Sequence, residues 1–369
     1  MKKKSLDKKK RKTVRERDWE KHGDTAFSHD LVKHRRATVK LSDTVREQQD
    51  LPRDFEPNAL VIAHSKKWGF VQYQGSERLC RMDERLHGEG ATLIAPGDLV
   101  LVEEEASDGE CYIRGVAPRR SRLSRPAARH GEAMEQVIAA NVDHLIVVAA
   151  ASEPPFKPGL VDRYLIAAQT GGIQPILCIN KMDLVEAPPE ELELYRGLDV
   201  QIHLVSCKTG QGLAELYDAI RGKTSVLSGH SGVGKSSMVS ALDPNLRLHT
   251  QTLTKYGRGQ HTTTGSRLYE LEGDTYVIDT PGVRALGLWG VSPRELEHYF
   301  PDISRAAEQC RFRNCTHTHE PECAVRDAAA TGEINPARFA SYLRIRSSLE
   351  TGITPGRTAA SWQSHRKDD

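Results

Sequence analysis

Apolar and polar positions change rhythm several times along this chain, and each change predicts a different architecture. From about Val137, short apolar runs alternate with amphipathic stretches. Leu145-Ile146-Val147-Val148-Ala149 reads as a buried strand, Gly159 to Thr170 as a helix, and Pro175-Ile176-Leu177-Cys178-Ile179 and Ile202-His203-Leu204-Val205 as further strands. A helix over Leu213 to Arg221 leads into the strand Thr224-Ser225-Val226-Leu227. This alternation predicts a doubly wound parallel α/β sheet, whose ligands bind beyond the carboxyl ends of the strands. Between about Ala37 and Arg120 the runs are shorter and β-type: Leu60–Ala63, Gly69–Tyr73, Arg78–Met82, Leu99–Val102 and Cys111–Arg114, punctuated by Gly75-Ser76, Pro96-Gly97-Asp98 and Asp108-Gly109. Five such strands suit a small closed barrel of the OB type, and an SH3-like barrel would give a similar pattern. Met1 to Arg36 has few large apolar residues and no period, so burial cannot offset the entropy of ordering it. Near the other end, Pro336 to Leu349 reads as a helix with Phe339, Tyr342, Leu343 and Ile345 on its apolar face, and the tail after Gly352 reads as loose.

Composition adds two constraints. With 369 residues, 38% hydrophobic and 28% charged, the chain can fill two or three soluble cores. Its central apolar stretch, Leu145 to Ala151, is far short of the roughly 20 residues that span a bilayer, and the N-terminus lacks an apolar segment of the secretory type. A cytoplasmic protein with no membrane partner is expected. Net charge is only +2, yet residues 1–40 carry 15 Lys and Arg against 6 Asp and Glu. The positive charge is thus an arm, suited either to a polyanion through counterion release or simply to solubility. The run Arg119-Arg120-Ser121-Arg122-Leu123-Ser124-Arg125-Pro126 reads as a second electropositive segment or as an exposed linker.

Chemistry enters with four motifs. Gly229-His230-Ser231-Gly232-Val233-Gly234-Lys235-Ser236 matches the phosphate-binding loop and has an apolar strand before it and a helix, Ser236 to Leu242, after it. In such a loop backbone N–H groups wrap the β-phosphate, Lys235 reaches the β/γ oxygens and the Ser236 hydroxyl binds Mg²⁺. Asn180-Lys181-Met182-Asp183 follows directly on a strand. The Asp183 carboxylate can accept from the adjacent N1–H and N2–H₂ donors of guanine, which adenine lacks. Ser206-Cys207-Lys208, one strand later, fits the companion loop beside guanine O6. Asp279-Thr280-Pro281-Gly282 closes the apolar strand Thr275–Ile278, with Asp279 placed for the Mg²⁺ side and the Gly282 N–H for the γ-phosphate.

Between the phosphate loop and Asp279 lies Gly257-Arg258-Gly259-Gln260-His261-Thr262-Thr263-Thr264, in the position of a switch segment. One of its threonines is expected to complete the Mg²⁺ shell; Thr263 is the candidate, although the sequence does not choose among the three. Position 283, where Ras-like GTPases carry a water-orienting glutamine, is valine. His261 is therefore the candidate catalytic residue, its imidazole able to orient water. The guanine loop precedes the phosphate loop, the reverse of the ordinary order, so the expected GTPase is circularly permuted.

Of seven cysteines, Cys310, Cys315 and Cys323 crowd together with His317 and His319. Three thiolates and one imidazole are the donor set of a closed structural zinc site, and either histidine satisfies the chemistry. Cys80, Cys111, Cys178 and Cys207 sit in apolar contexts as core or near-core residues.

Taken together, these residues resemble the RsgA (YjeQ) family of bacterial GTPases dependent on the small ribosomal subunit. The resemblance covers about Ala37 to Leu349 and rests on Asn180–Asp183 preceding Gly229–Ser237, on Gly257–Thr264 with His261, on Asp279–Val283 and on Cys310 to Cys323. It implies a basic disordered arm over 1–36, an OB-fold barrel over 37–120, a circularly permuted GTPase over 121–295 and a mainly α zinc-binding domain over 296–369. It further implies His317 as the fourth zinc ligand, Ser237 in the GTP-binding loop, one structural Zn²⁺, and Mg²⁺ with GTP. The activity implied is hydrolysis of GTP to GDP and phosphate, stimulated by the small (30S) subunit, by a monomer that contacts 16S rRNA and assists late subunit maturation. The competing expectation is a nucleotide-gated rRNA-binding scaffold whose hydrolysis is slow and incidental. An ATP-using enzyme is a distant third, because Asp183 selects guanine.

Overall fold

The computed structural model describes residues 55–65, 67–83, 86, 93–105, 109–129, 132–243, 266–280 and 286–351. The arm 1–36, the segment 257–264 with His261 and Thr263, Gly282, Val283 and the tail after Gly352 lie outside the described residues.

Strands β1 (Ala59–His64), β2 (Trp68–Tyr73), β3 (Ser76–Met82), β4 (Leu99–Glu104) and β5 (Cys111–Val116) close into a barrel in the order β1-β2-β3-β5-β4. All pairs are antiparallel except β3 with β5. This five-stranded arrangement is the OB-like one. Alternation turns Val61, Val71, Cys80, Val100 and Ile113 inward, where all are fully buried. Cys80 and Cys111 face each other across β3 and β5 as free, buried thiols, and burial pushes the Cys80 thiol up to about 12.

The basic run after the barrel is not a linker. Strands β6 (Arg122–Arg129) and β7 (Glu132–Ala140) form an antiparallel hairpin with a bulge between Leu123 and Ser124. Its arginines are met within the chain. Arg119 forks onto the buried Asp98 with two 2.8 Å bonds, Arg120 reaches Asp143 at 2.7 Å, Arg122 reaches Glu135 at 2.7 Å and Arg125 donates to Gln136 at 2.8 Å. With Leu123 buried in the core, the part of the run from Arg122 onward is an anchored strand.

A six-stranded sheet follows in the order β10-β9-β8-β11-β13-β12, from β8 (His144–Ala150), β9 (Gln174–Asn180), β10 (Gln201–Leu204), β11 (Thr224–Gly229), β12 (Arg267–Leu271) and β13 (Thr275–Asp279). Five strands are parallel; β12, which the sequence reading did not include, is antiparallel and lies at the edge. Two blocks contiguous in sequence, β8 to β10 and β11 to β13, are joined within the sheet by the pairing of β8 with β11.

Helix α1 (Pro158–Gly171) covers one face over Leu145 and Val147; α2 (Leu213–Ile220) and α3 (Lys235–Leu242) cover the other over Ile146 and Val148. The first core continues into α4 (Pro301–Ala307), α5 (Ala324–Thr331) and α6 (Pro336–Thr351) through Phe300, Ile303, Val325, Tyr342 and Ile345. Helix α6 is clamped to α1. Arg338 pairs with Asp162 and with Asp302, its guanidinium 4.6 Å from the Phe300 ring centre, and Arg163 donates to Ser348 at 2.7 Å. Burial works against the Arg338 charge, but Asp162 and Asp302 hold its pKa above the ordinary value. Among the described residues no helix is long and apolar enough to cross a membrane.

Candidate functional site

The parallel register brings the ends of β8, β9, β11 and β13 to one edge of the sheet, since Ala150 pairs with Asn180, Gly229 with Val148 and Leu227 with Asp279. The loops that leave these strands carry the predicted motifs. One buried side chain stitches three of them together. The Asn180 amide donates to the Val233 carbonyl at 2.9 Å and accepts from the Cys207 N–H at 3.1 Å, joining residues 180–183, 206–208 and 229–236. The last glycine of the phosphate loop is fixed by this stitch: Gly234 has φ +98°, and a Cβ there would stand 2.4 Å from the Asn180 amide nitrogen.

Val233 is buried in the core on the α3 side, so it anchors the loop, while Ser231, Gly232, Ser236 and Ser237 are exposed. His230 is turned onto its own loop, with Nδ1 2.8 Å from the Ser231 carbonyl. Helix α3 starts at Lys235, so the unpaired N–H groups of its first turn stand beside the loop. Lys235 Nζ donates to the carbonyls of Gly229 and His230 at 3.0 Å each, and burial depresses its pKa. The loop thus offers backbone donors, a buried ammonium and a helix terminus, a set suited to phosphate oxygens.

At the other end of the edge, the Ser206 hydroxyl donates to Asp183 Oδ1 at 2.6 Å, and Lys208 stands 3.7 Å from Oδ2. The Ser206 bond is the main reason that the Asp183 carboxyl lies below its ordinary value. Asp183 is therefore an oriented anion with accepting capacity left, as recognition of two adjacent donors requires. Lys181, in the left-handed region at φ +67°, sends Nζ back to the Glu153 carbonyl at 2.5 Å. That carbonyl, in the loop after β8, was missed by sequence reasoning; a backbone oxygen leaves no residue signal.

Ser236 and Asp279 converge as well, with the hydroxyl donating to Oδ2 at 2.9 Å. Asp279 Oδ1 is buried without a hydrogen-bond partner, and burial raises this carboxyl's pKa. A hydroxyl beside a carboxylate with an unused buried oxygen fits a hard divalent cation. Thr280 fixes the strand end by donating to the Leu227 carbonyl at 2.7 Å.

On the far side of α6, the donor atoms of Cys310, Cys315, His317 and Cys323 all lie within 4.8 Å of one another. Cys310 Sγ is 3.6 Å and Cys323 Sγ 3.4 Å from His317 Nδ1, and the two sulfurs are 3.9 Å apart. Donors held about 2.0–2.3 Å from a common tetrahedral centre would be separated by about 3.3–3.8 Å. The geometry groups His317, not His319, with the thiols: His319 is exposed and bonded to Thr318. His317 Nε2 faces Glu297 at 3.1 Å, an arrangement in which a carboxylate would orient the imidazole of a metal ligand. The loop is shaped by Glu320, whose carboxylate accepts from the Thr316 N–H and hydroxyl at 2.8 and 2.5 Å and from the N–H groups of Thr318 and His319.

The chain can now be set beside known proteins. A family model described as RsgA GTPase matches residues 116–289. A small ribosomal subunit biogenesis GTPase RsgA from Chlorobaculum parvum is 41% identical over 71% of this chain and 87% of the relative, and one from Gemmatimonas aurantiaca is 38% identical over 76% and 94%. Among solved structures, YjeQ from Thermotoga maritima covers 82% of this chain and 99% of its own with TM-score 0.59 and 31% identity. YloQ, described as a circularly permuted GTPase, covers 82% and 97% with TM-score 0.56 and 27% identity. With the inverted loop order, the closed barrel and this level of identity over most of each relative's length, the chain belongs to the RsgA GTPase family.

Proposed function

We propose that this chain is a GTP-hydrolysing enzyme of small ribosomal subunit biogenesis whose turnover is stimulated by the subunit it binds. The observation that carries the reading is the Asn180 stitch, which holds a guanine-selective carboxylate and a phosphate loop in one fixed frame. In this reading Asn180 to Asp183 and Ser206 to Lys208 hold the base, and Gly229 to Ser237 wrap the phosphates. Asp279 and Ser236 hold Mg²⁺ together with Thr263, and the Gly282 N–H meets the γ-phosphate. Bound Mg²⁺ would neutralise charge on the β- and γ-phosphate oxygens. His261 orients the attacking water, Val283 being unable to do so. Residues 37–120, 121–295 and 296–369 act as barrel, GTPase and zinc-binding units, and the chain works as a monomer in the cytoplasm with 16S rRNA as its polyanionic partner.

Purified small subunits added to the full-length chain should raise GTP turnover at least tenfold, as expected when the partner completes the catalytic arrangement. Unchanged turnover would favour the scaffold reading. His261→Ala should lose most of the stimulated rate while GTP affinity holds.

The Cys310, Cys315, His317 and Cys323 cluster is read as one structural Zn²⁺ site, because four protein ligands leave no open position. Metal analysis should return one zinc per chain. Chelation, or Cys323→Ser, should open residues 300–345 to protease, since ligand binding there is folding free energy. A resistant, metal-free C-terminal segment would overturn the assignment.

A further inference from the structure

The strand pair that ends at Asp279 carries a second charged residue. β12 begins at Arg267, and the antiparallel register sets it directly opposite Asp279. Such partners project to the same face with Cα atoms about 5 Å apart. The face here is the one under α3, where Val277 and Leu271, in step with Asp279 and Arg267, are packed. An arginine so placed is long enough to form a bidentate pair with the aspartate. It is engaged elsewhere. Arg267 Nη2 donates to both carboxylate oxygens of Glu77, on β3 of the barrel, at 3.0 and 3.2 Å. Its guanidinium also lies 5.9 Å from the Tyr269 ring centre. The Arg267 side chain is only 16% exposed, so it has little water to turn to, while Glu77 is 53% exposed. Asp279, meanwhile, keeps Oδ1 buried and without a hydrogen-bond partner beside the Ser236 bond.

One arginine is thus bonded to a carboxylate of the barrel and stands, by register, opposite a second carboxylate at the cation side of the nucleotide site. We propose that Glu77 is a positioning residue for the magnesium site: by engaging Arg267 it keeps that guanidinium off Asp279 and leaves the carboxylate to the divalent ion. The inference rests on the reading of Ser236 and Asp279 as the Mg²⁺ side. Competition is direct, because a guanidinium paired with Asp279 would cover the oxygen that the cation, or a water bound to it, would use. On this reading the barrel bears on the nucleotide site through Glu77, a residue of β3.

The test uses the full-length chain and methylanthraniloyl-GDP, whose affinity is followed by fluorescence across buffered Mg²⁺ concentrations; no turnover is needed. In Glu77→Gln the Mg²⁺ midpoint should rise about fivefold, the size of one partly exposed charge pair. Arg267→Gln should not raise it, and the double variant should return to within about twofold of the parent. Rescue by removing the arginine separates competition from simple anchoring. If both single variants and the double variant were shifted alike, the pair would only tie the barrel to the sheet, and the proposal would be overturned. A Glu77→Gln midpoint equal to the parent's would also overturn it, leaving the Mg²⁺ reading intact. A parent chain whose affinity ignores Mg²⁺ would remove that reading and this inference together.

Discussion

Asp183→Asn is expected to lower affinity for GTP by about two to three orders of magnitude and to raise affinity for xanthosine triphosphate. The carboxylate offers acceptors to two adjacent donors of guanine, N1–H and N2–H₂. An asparagine keeps one acceptor and turns the other position into a donor. Ser206 favours an amide oxygen at that position, because its hydroxyl already accepts from the Thr209 N–H at 3.2 Å and donates to Oδ1 at 2.6 Å. The new NH₂ then replaces Oδ2 and meets the guanine amine donor to donor. Xanthine has a carbonyl at that position, so the same amide becomes a match. Competition against a fluorescent guanine nucleotide measures both effects. Unchanged GTP affinity would show that Asp183 does not read the base.

The largest stability effect should come from Arg338. Asp162 is 1% exposed and Arg338 5%, so Arg338→Ala leaves a buried carboxylate without its counter-charge. Breaking a buried pair in this way costs about 3–5 kcal/mol, whereas replacing both partners by apolar groups of similar shape is close to neutral. Thermal unfolding of Arg338→Ala should therefore begin roughly 6–20 °C lower, given about 2–4 °C per kcal/mol in units of this size. Arg338→Met combined with Asp162→Leu should recover most of the loss. A single variant as stable as the parent would mean that the apolar contacts of Tyr342 and Ile345 and the Arg163–Ser348 bond suffice to hold α6 in place.

The parts of the fold legible in the sequence were those whose signal is local. Leu145–Ala149 and Pro175–Ile179 are apolar runs long enough to be buried strands and nothing else, and the phosphate loop announces its strand and helix. β12 was not legible, because five residues at a sheet edge take their identity from pairing with β13. The hairpin of β6 and β7 was hidden behind arginines and a proline that look like a linker until Glu135 and Gln136 are set opposite them. Arg338 and Asp162 meet across 176 residues, and periodicity gives α6 an apolar face but no partner. In the candidate site the same division holds. Side chains within motifs could be named, but the choice between His317 and His319 is made by a backbone turn at φ +60°, and the Glu153 carbonyl has no side chain to betray it.

The seam between β8 and β11 has a consequence for synthesis. The block from β8 to β10 leaves the ribosome first, carrying the Asn180–Asp183 loop, and its β8 edge stays unpaired until residue 224 follows. At about 5–20 residues per second that wait is some 4–15 s. For those seconds a nearly all-apolar strand, Leu145 to Ala150, is an open edge of the kind that recruits other strands. No nucleotide can shorten the wait, because the phosphate loop follows β11 in the chain. Slow translation between residues 150 and 224 should therefore lower the soluble yield of this chain more than the same delay placed after residue 243.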